Sequence, residues 1–342
     1  MATDPANGKE PADPLAPSSS AADAFAGPLA AVTLITDSLP KTEALYSGLF
    51  GLERADPEAP TDPTLARQLW GLPDEFDFEE VLLRRADQPA VPCLRVLVSA
   101  QAAEPVRPAY KTTLEGGLSV GFVMHDIGRV VEQGAATGFP TSAGVVSMDM
   151  ARPDGTPYQV HECHFLAPDD VYALGVERPP DLAQIGPIAA GDAVGGPAYT
   201  GQVMNHCDAT LAFYTDVLGY EVRRRMTVGG PLVEKGLGLD PDTSFEFLQV
   251  FAPGSTTAYF IVLDFADGGQ PNPAIAPPHR GVVMWTVPVA DVAQVAAAAP
   301  ASGASVLAGP LVGQSALFGE RLSVSIRTAN GFIIECVQMD AA

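Results

Sequence analysis

The sequence predicts an α+β fold of two similar modules, each built from two strand–helix–strand–strand–strand units. Three observations carry this. The stretch 199-YTGQVMNHCDATLAFYTDVLGYEVRRRM-226 repeats 31-AVTLITDSLPKTEALYSGLFGLERAD-56. Leu45-Tyr46 answers Phe213-Tyr214, and Gly51 answers Gly219, each pair 168 residues apart. The likeness runs on through 70-WGLPDEFDFEE-80 against 237-LGLDPDTSFEF-247, which pairs Gly71 with Gly238. A nearly gap-free repeat of this length marks a duplicated module. Second, 342 residues exceed what one hydrophobic core organises. Third, short β-branched runs alternate with helical segments in the same order four times.

Residues 1–27 are rich in Pro, Ala, Ser and Asp, with little to bury, and read as a disordered tail. The first module spans 28–175. It opens with strand 30–36, an apolar run closed by Asp37-Ser38. Helix 39–50 follows, stopped by Gly51. A second strand starts at Leu52, residues 63–70 form a short inserted helix, and strands lie near 78–84 and 93–100. A new unit begins with strand 118–124 and helix 126–137, ended by Gly138. After the favoured turn pair Asp154-Gly155 comes a final strand near 156–165. Residues 176–197, rich in Pro, Gly and Asp, read as a linker. The second module, 198–342, repeats the order: strand 199–205, helix 208–218, and strands near 220–227, 244–251 and 257–264. Its last unit has strand 282–289, helix 291–299, whose 296-AAAA-299 suits close packing on a sheet, and strand 332–338 after Asn330-Gly331.

Composition bounds the function. The formal charge is −22 and the pI about 4.4, which argues against nucleic acid, whose phosphates need clustered Lys and Arg. No run of about 18 apolar residues implies a membrane span, and no basic stretch followed by an apolar run suggests a secretory signal. The four cysteines, Cys93, Cys163, Cys207 and Cys336, form no CxxC pair and no disulfide scaffold. Reduced, buried thiols in a cytoplasmic protein are expected.

The order of units, the phrase Phe213-Tyr214 with Leu218-Gly219-Tyr220, and Asn330-Gly331 before Glu335 resemble the vicinal oxygen chelate superfamily. That superfamily includes glyoxalase I, extradiol dioxygenases and bleomycin-resistance proteins. In the first module Leu45-Tyr46, Phe50-Gly51-Leu52 and Asp154-Gly155 carry the resemblance, which covers nearly all of 28–340. It implies two curved, cup-like mixed sheets with helices outside. Members with metal chemistry usually hold a divalent ion in the cup through His or Gln on the first strand, His on the third-quarter strand and Glu on the last. Counted onto this sequence, those positions are Tyr199, Met284 and Glu335 in one module. In the other they are Ala31, Ser119 and Glu162, with Gln159 as the other register. Ala31 offers no donor, Ser119 is a poor ligand and Met284 is a soft thioether unsuited to Fe(II), Mn or Mg. The resemblance therefore implies a two-module form with degenerate ligands, with no tightly bound metal expected and a divalent metal kept as the alternative cofactor.

Glu335 has two readings. One is a desolvated general base with raised pKa; the other is a carboxylate satisfied by neighbours. Tyr199 is its candidate partner, as acid or orienting group, or a core tyrosine. In 161-HECH-164 one strand face carries His161 and Cys163 and the other Glu162 and His164; the plain reading sets one face to the cup and one to a helix or solvent. His206-Cys207-Asp208 and His125-Asp126 read as helix caps, with Asp208 or Asn205 capping the former. Arg280 is placed at a cup mouth, where it would meet an anionic group. Trp70 lies on a candidate lid and Trp285 on the outward face, with a packed core position the plainer reading for both.

The resulting expectation is a protein holding a small, largely apolar or aromatic molecule in one or both cups, with Glu335 and Tyr199 catalytic in a lyase or isomerase step. Met284, Trp70, Arg280, Glu162 and Ser119 would contact the ligand. The alternatives are a metal-dependent extradiol-dioxygenase-like or glyoxalase-I-like enzyme, and a non-catalytic sequestering protein. No nucleic acid or membrane partner is expected, and the chain is a monomer or homodimer.

Overall fold

The computed structural model describes residues 24–88, 91–152, 154–229, 232–265 and 268–339. The first unit contains β1 (Ala31–Thr36), β2 (Glu53–Arg54), β3 (Glu79–Arg84) and β4 (Cys93–Val98). A short β5 (Ala103–Pro105) leads to the second unit, with β6 (Gly116–Met124), β7 (Thr141–Ala151), β8 (Pro157–Leu166) and β9 (Tyr172–Glu177). The third has β10 (Val194–Val203), β11 (Glu221–Val228), β12 (Phe245–Phe251) and β13 (Tyr259–Asp264). The fourth has β14 (His279–Val289), β15 (Ser305–Ser315), β16 (Gly319–Arg327) and β17 (Ile333–Gln338).

The strands form two curved sheets, and each joins units from opposite halves of the chain. One runs β15-β16-β17-β14-β1-β4-β3-β2, uniting the first and fourth units; we call its concave side the outer cup. The other runs β11-β12-β13-β10-β6-β9-β8-β7, uniting the second and third; its concave side is the inner cup. The seams are antiparallel pairs, β1 on β14 and β10 on β6. Within every unit the first and last strands are parallel, as a crossover helix requires.

The helix that follows the first strand of each unit covers a convex face. Helix α1 (Leu39–Glu43) continues as a π-helical turn over Ala44–Leu49, and Gly51 follows with φ +73°. A side chain would be strained in that left-handed geometry. Phe50 from this segment packs on Phe122 and Phe165 of the inner sheet at 4.7 and 5.3 Å. The repeated segment puts Tyr214 against Phe260 and Trp285. The helices thus lie between the two sheets and weld them into one core. Trp285 is fully buried there, as its core reading anticipates.

Several elements differ from the sequence reading. Residues 1–23 of the expected tail lie outside the described residues; Ala26 bridges Val289 and is fully buried. The strand at 157–166 is the third of its unit, not the last. The closing strand is β9, whose run 172-YALGVE-177 has no alternation because both of its faces are buried. In the fourth unit β15 and β16 are the two middle strands that the unit order calls for, to which the sequence reading assigns no range.

Helices α3 (Ile127–Ala136) and α4 (Asp208–Ala212) are capped from afar. Glu177 accepts from the Ile127 N–H at 2.9 Å, and Asp264 accepts from the His206 and Cys207 N–H groups at 3.0 Å. The expected local caps Asp126, Asp208 and Asn205 do not serve. In both cases a carboxylate at the end of the last parallel strand of the unit reaches the orphan N–H groups first. All four cysteines are buried and free.

Candidate functional site

The sheet pairing separates residues that the sequence brought together. Glu335 stands on β17 of the outer sheet and Tyr199 on β10 of the inner one, so they share no hollow. Their expected catalytic partnership is therefore corrected. The reason is the crosswise pairing: each cup takes one unit from each half, and Tyr199 and Glu335 come from units three and four.

The outer cup is filled. Helix α2 (Pro63–Trp70) is started by Asp62, which accepts from the Thr64 N–H at 2.8 Å, and ended by Gly71 at φ +65°. It lies over β15–β17 and drives Trp70, 1% exposed, into the hollow. The indole N–H donates to Glu335 Oε1 at 2.8 Å. Arg95 on β4 donates to Glu335 Oε2 at 2.7 Å and to Thr286 Oγ1 at 3.1 Å, and its guanidinium lies 4.7 Å from the Trp70 ring. Its Nε is 3.1 Å from Glu80 Oε1, an ion-pair distance without hydrogen-bond alignment. Thr286 donates to Glu335 Oε2 at 2.7 Å.

Burial alone would raise the Glu335 pKa. The Arg95 charge and the hydrogen bonds from Trp70, Arg95 and Thr286 outweigh it and hold the carboxyl below the ordinary glutamate range. The general-base reading of Glu335 is thereby corrected: it is a fixed, ion-paired carboxylate. Met284 is fully buried on the same sheet, and Trp70 is a plug rather than a ligand contact.

The inner cup is open. Its cavity has a volume of about 350 Å³. Aromatic walls come from Tyr158, Tyr172, Tyr199, Tyr259, Phe245 and Phe247, with Met148, Met150 and Met226 adding adaptable bulk. Gly121 makes the floor possible, since a Cβ there would stand 2.1 Å from the Tyr199 ring. Tyr199 stacks on Tyr259 at 5.2 Å. Burial, then the Glu162 carboxylate, push the Tyr199 hydroxyl pKa well above its usual range, so it stays protonated.

One difference between the repeats explains why one cup is plugged and the other is not. Gly71 answers Gly238, so Trp70 answers Leu237. Leu237 lines the inner cavity where its counterpart fills the outer one. The segment before it forms a π-helical turn over Leu232–Gly236 instead of α2.

Glu162 and His164 both reach the cavity from β8. His161 turns away to meet Ser147 at 2.8 Å, and Cys163 is buried in the core. The two faces of 161-HECH-164 thus separate as the plain reading had it. His164 Nδ1 lies 2.8 Å from the Gly236 carbonyl, which can only accept. Nδ1 therefore carries a proton, and Nε2 is the free basic nitrogen of the neutral ring. It stands 3.7 Å from Glu162 Oε2.

Two further expected contacts are misplaced. Ser119 is buried on β6, its hydroxyl against Gly201 and outside the cavity lining. Arg280 is not part of the inner-cavity lining. It is held at the base of β14 by Asp37, with Asp169 at 3.6 Å and Glu104 at 3.9 Å.

Residues 196–335 match the Glyoxalase/Bleomycin resistance protein/Dioxygenase superfamily. That segment belongs to the superfamily. No curated protein sequence matches it. Among solved structures it is similar to glyoxalase I from Zea mays, with 12% identity, a TM-score of 0.61, and coverage of 91% of this chain and 92% of that one. A mutant of the same maize enzyme gives 12% identity and a TM-score of 0.61, with 92% and 94% covered. A putative dioxygenase from Bacillus subtilis gives 12% and 0.56, with 92% and 86% covered. At such identity the likeness is one of fold.

The superfamily's divalent ion does not fit the residues present. In the outer cup the Arg95 guanidinium already occupies the space between Glu335 and Glu80. In the inner cup the register opposes Gly121 to Leu174 where Thr286 opposes Glu335, and Gly201 to Ile261 where Thr33 opposes Arg95. Glu162, the expected equivalent of Glu335, sits one strand away, so the position answering Glu335 holds Leu174. Among the described residues no three His, Cys, Asp or Glu side chains converge. These donors are too few and too apolar for a hard or borderline divalent ion.

Proposed function

We propose that the protein binds a small, flat, largely apolar or aromatic molecule in the inner cup, and that the outer cup is structural. The observation that carries this is the exchange of Trp70 for Leu237 at equivalent places, which closes one hollow and leaves an aromatic-lined cavity of about 350 Å³ in the other. Concave, mostly apolar hollows with a few convergent polar groups are the usual seat of small ligands. The test rebuilds the plug. Wild-type protein should bind 1-naphthol at one site per chain by isothermal titration calorimetry, and Leu237→Trp, if its thermal midpoint is retained, should bind none. Equal binding by both proteins refutes the assignment.

A second reading, a metal-independent proton transfer of the lyase or isomerase type, is favoured by the fixed His164 ring. Its Nε2 faces the cavity as base, and Glu162 would stabilise the imidazolium that forms. In this reading Tyr199, protonated and within reach of the Glu162 charge, is the hydroxyl donor of the same cup. Tight binding of a co-purified molecule without its conversion would instead favour sequestration.

A further inference from the structure

Resting on the inner-cup reading, we infer that the ligand is an aromatic monocarboxylic acid and that Arg224 is the residue that selects it. The run 223-RRR-225 on β11 is unusual in a chain with 41 acidic and 19 basic residues. Two of the three charges are satisfied within the protein. Arg223 pairs with Glu221 at 3.1 Å, donates to the Ala252 carbonyl, and lies over Phe251 at 4.5 Å. Arg225 pairs with Glu246 at 2.7 Å and Asp208 at 3.3 Å. Arg224, half-buried, lines the cavity instead. Among the described residues it has no carboxylate and no carbonyl partner.

A guanidinium partly withdrawn from water into an aromatic hollow loses hydration that no hydrogen bond or ion pair among the described residues offsets. A ligand carboxylate would offset it through two parallel N–H···O bonds, the geometry for which the planar fork is suited. The positive field reaches the cavity floor. Both Arg178 and Arg224 act on the Tyr259 hydroxyl in the direction opposite to burial. Arg178 is less free, since it donates to the Ala183 carbonyl.

The opposite wall fixes the number of charges. β8 and β11 lie on opposite sides of the sheet, and β8 presents Glu162 to the cavity. A second ligand carboxylate would face that side chain. A hydroxyl or other hydrogen-bond donor would suit it. The cup is thus polar in one direction, with the cation on β11, the acceptor on β8 and aromatic faces between.

The test compares 2-naphthoate with 2-naphthamide, which share shape and differ in charge, against the full chain by calorimetry at low salt. The wild type should bind the naphthoate about tenfold tighter or more, the difference one charge-assisted pair supplies. Arg224→Gln should bring the naphthoate down to the naphthamide's affinity and leave naphthamide binding within about twofold. Arg224→Lys should keep part of the preference, because the charge remains and the fork is lost. Equal affinity for the two probes in the wild type, or an unchanged preference in Arg224→Gln, overturns the inference. In either of those cases, loss of both probes in Leu237→Trp leaves the inner-cup reading standing. If neither probe binds the wild type, both readings fall.

Discussion

Replacing Arg95 with Met should destabilise the protein more than any other single change in the outer cup. Arg95 is fully buried between Glu335 at 2.7 Å and Glu80 at 3.1 Å. Removing it leaves two carboxylates in a hollow sealed by Trp70. Breaking a buried pair by deleting one partner costs about 3–5 kcal/mol, because the remaining charge keeps its desolvation penalty without its attraction. Arg95→Met should fall at the upper end of that range. Glu335→Gln leaves Arg95 its second partner, and should cost less, about 2–3 kcal/mol. Trp70→Phe removes a donor to a charged acceptor and leaves a smaller ring beside the guanidinium, for roughly 2 kcal/mol. The assay is urea unfolding followed by far-ultraviolet circular dichroism, which serves all three variants alike.

Acid dependence gives a second readout of the same site. The folded Glu335 pKa is depressed, so its stabilisation is complete above the ordinary glutamate range and lost as the pH falls from that range through the lower folded value. The acid limb of the stability curve should flatten in Glu335→Gln. Naphthol binding in the inner cup should be unchanged in all three variants. A cost below about 0.5 kcal/mol for Arg95→Met, the size of a surface change, would refute the account of a buried ion-paired plug. So would loss of ligand binding in a folded Glu335→Gln.

Three other outcomes are expected. Burial first, and then Asp37, push the Asp169 carboxyl up to about 6, against the pull of Thr36 and Arg280. The stability this group contributes is therefore complete below its ordinary pKa of 3.8 and lost as the pH rises to about 6. At pH 7 Asp169→Asn should be more stable by up to about 3 kcal/mol, less whatever the Thr36 and Arg280 contacts contribute; parallel stability curves from pH 4 to 8 would rule this out. Gly121→Ala should cost about 1–3 kcal/mol and alter naphthol affinity, since its new methyl must displace the Tyr199 ring; crystallography of the variant with Tyr199 unmoved would contradict it. Where a converted ligand is identified, His164→Gln should lower turnover about 100-fold or more with little change in binding, and equal turnover would remove His164 from any proton transfer.

The sequence made the fold legible and the site only partly so. The repeat, Gly51 and Gly219, and the strand-helix order specified four units because each rests on local physics. The pairing of units is a tertiary choice. Nothing in β1 or β10 says which of the later strands will lie beside it, so Tyr199 was matched with Glu335 across two different cups. The mapping of Glu162 onto Glu335 failed because β9 is six residues with no alternation, and the preceding strand carried the more visible motif. Arg95 and Glu80 were missed for a related reason: a charge inside an apolar strand reads as an edge residue until its partner on another unit is known. A signal for the plug was present, since the repeat aligns Trp70 with Leu237, and a large aromatic opposite a smaller aliphatic is a difference in filled volume. Arg224 was also within reach, as the middle of three arginines on a strand in an acidic chain.

The crosswise sheets also order the birth of the two hollows on the ribosome. The inner sheet is drawn from 116–264, a continuous stretch, and can close once that stretch has emerged. The outer sheet must hold its first strands, with their apolar edge at β1 uncovered, until β14, which begins at His279, arrives to zip against them. That long wait is a loop-closure cost and a period of aggregation risk. The half that carries the open cavity therefore matures early, and the last unit of the chain acts as a clasp that shuts the plugged cup behind it.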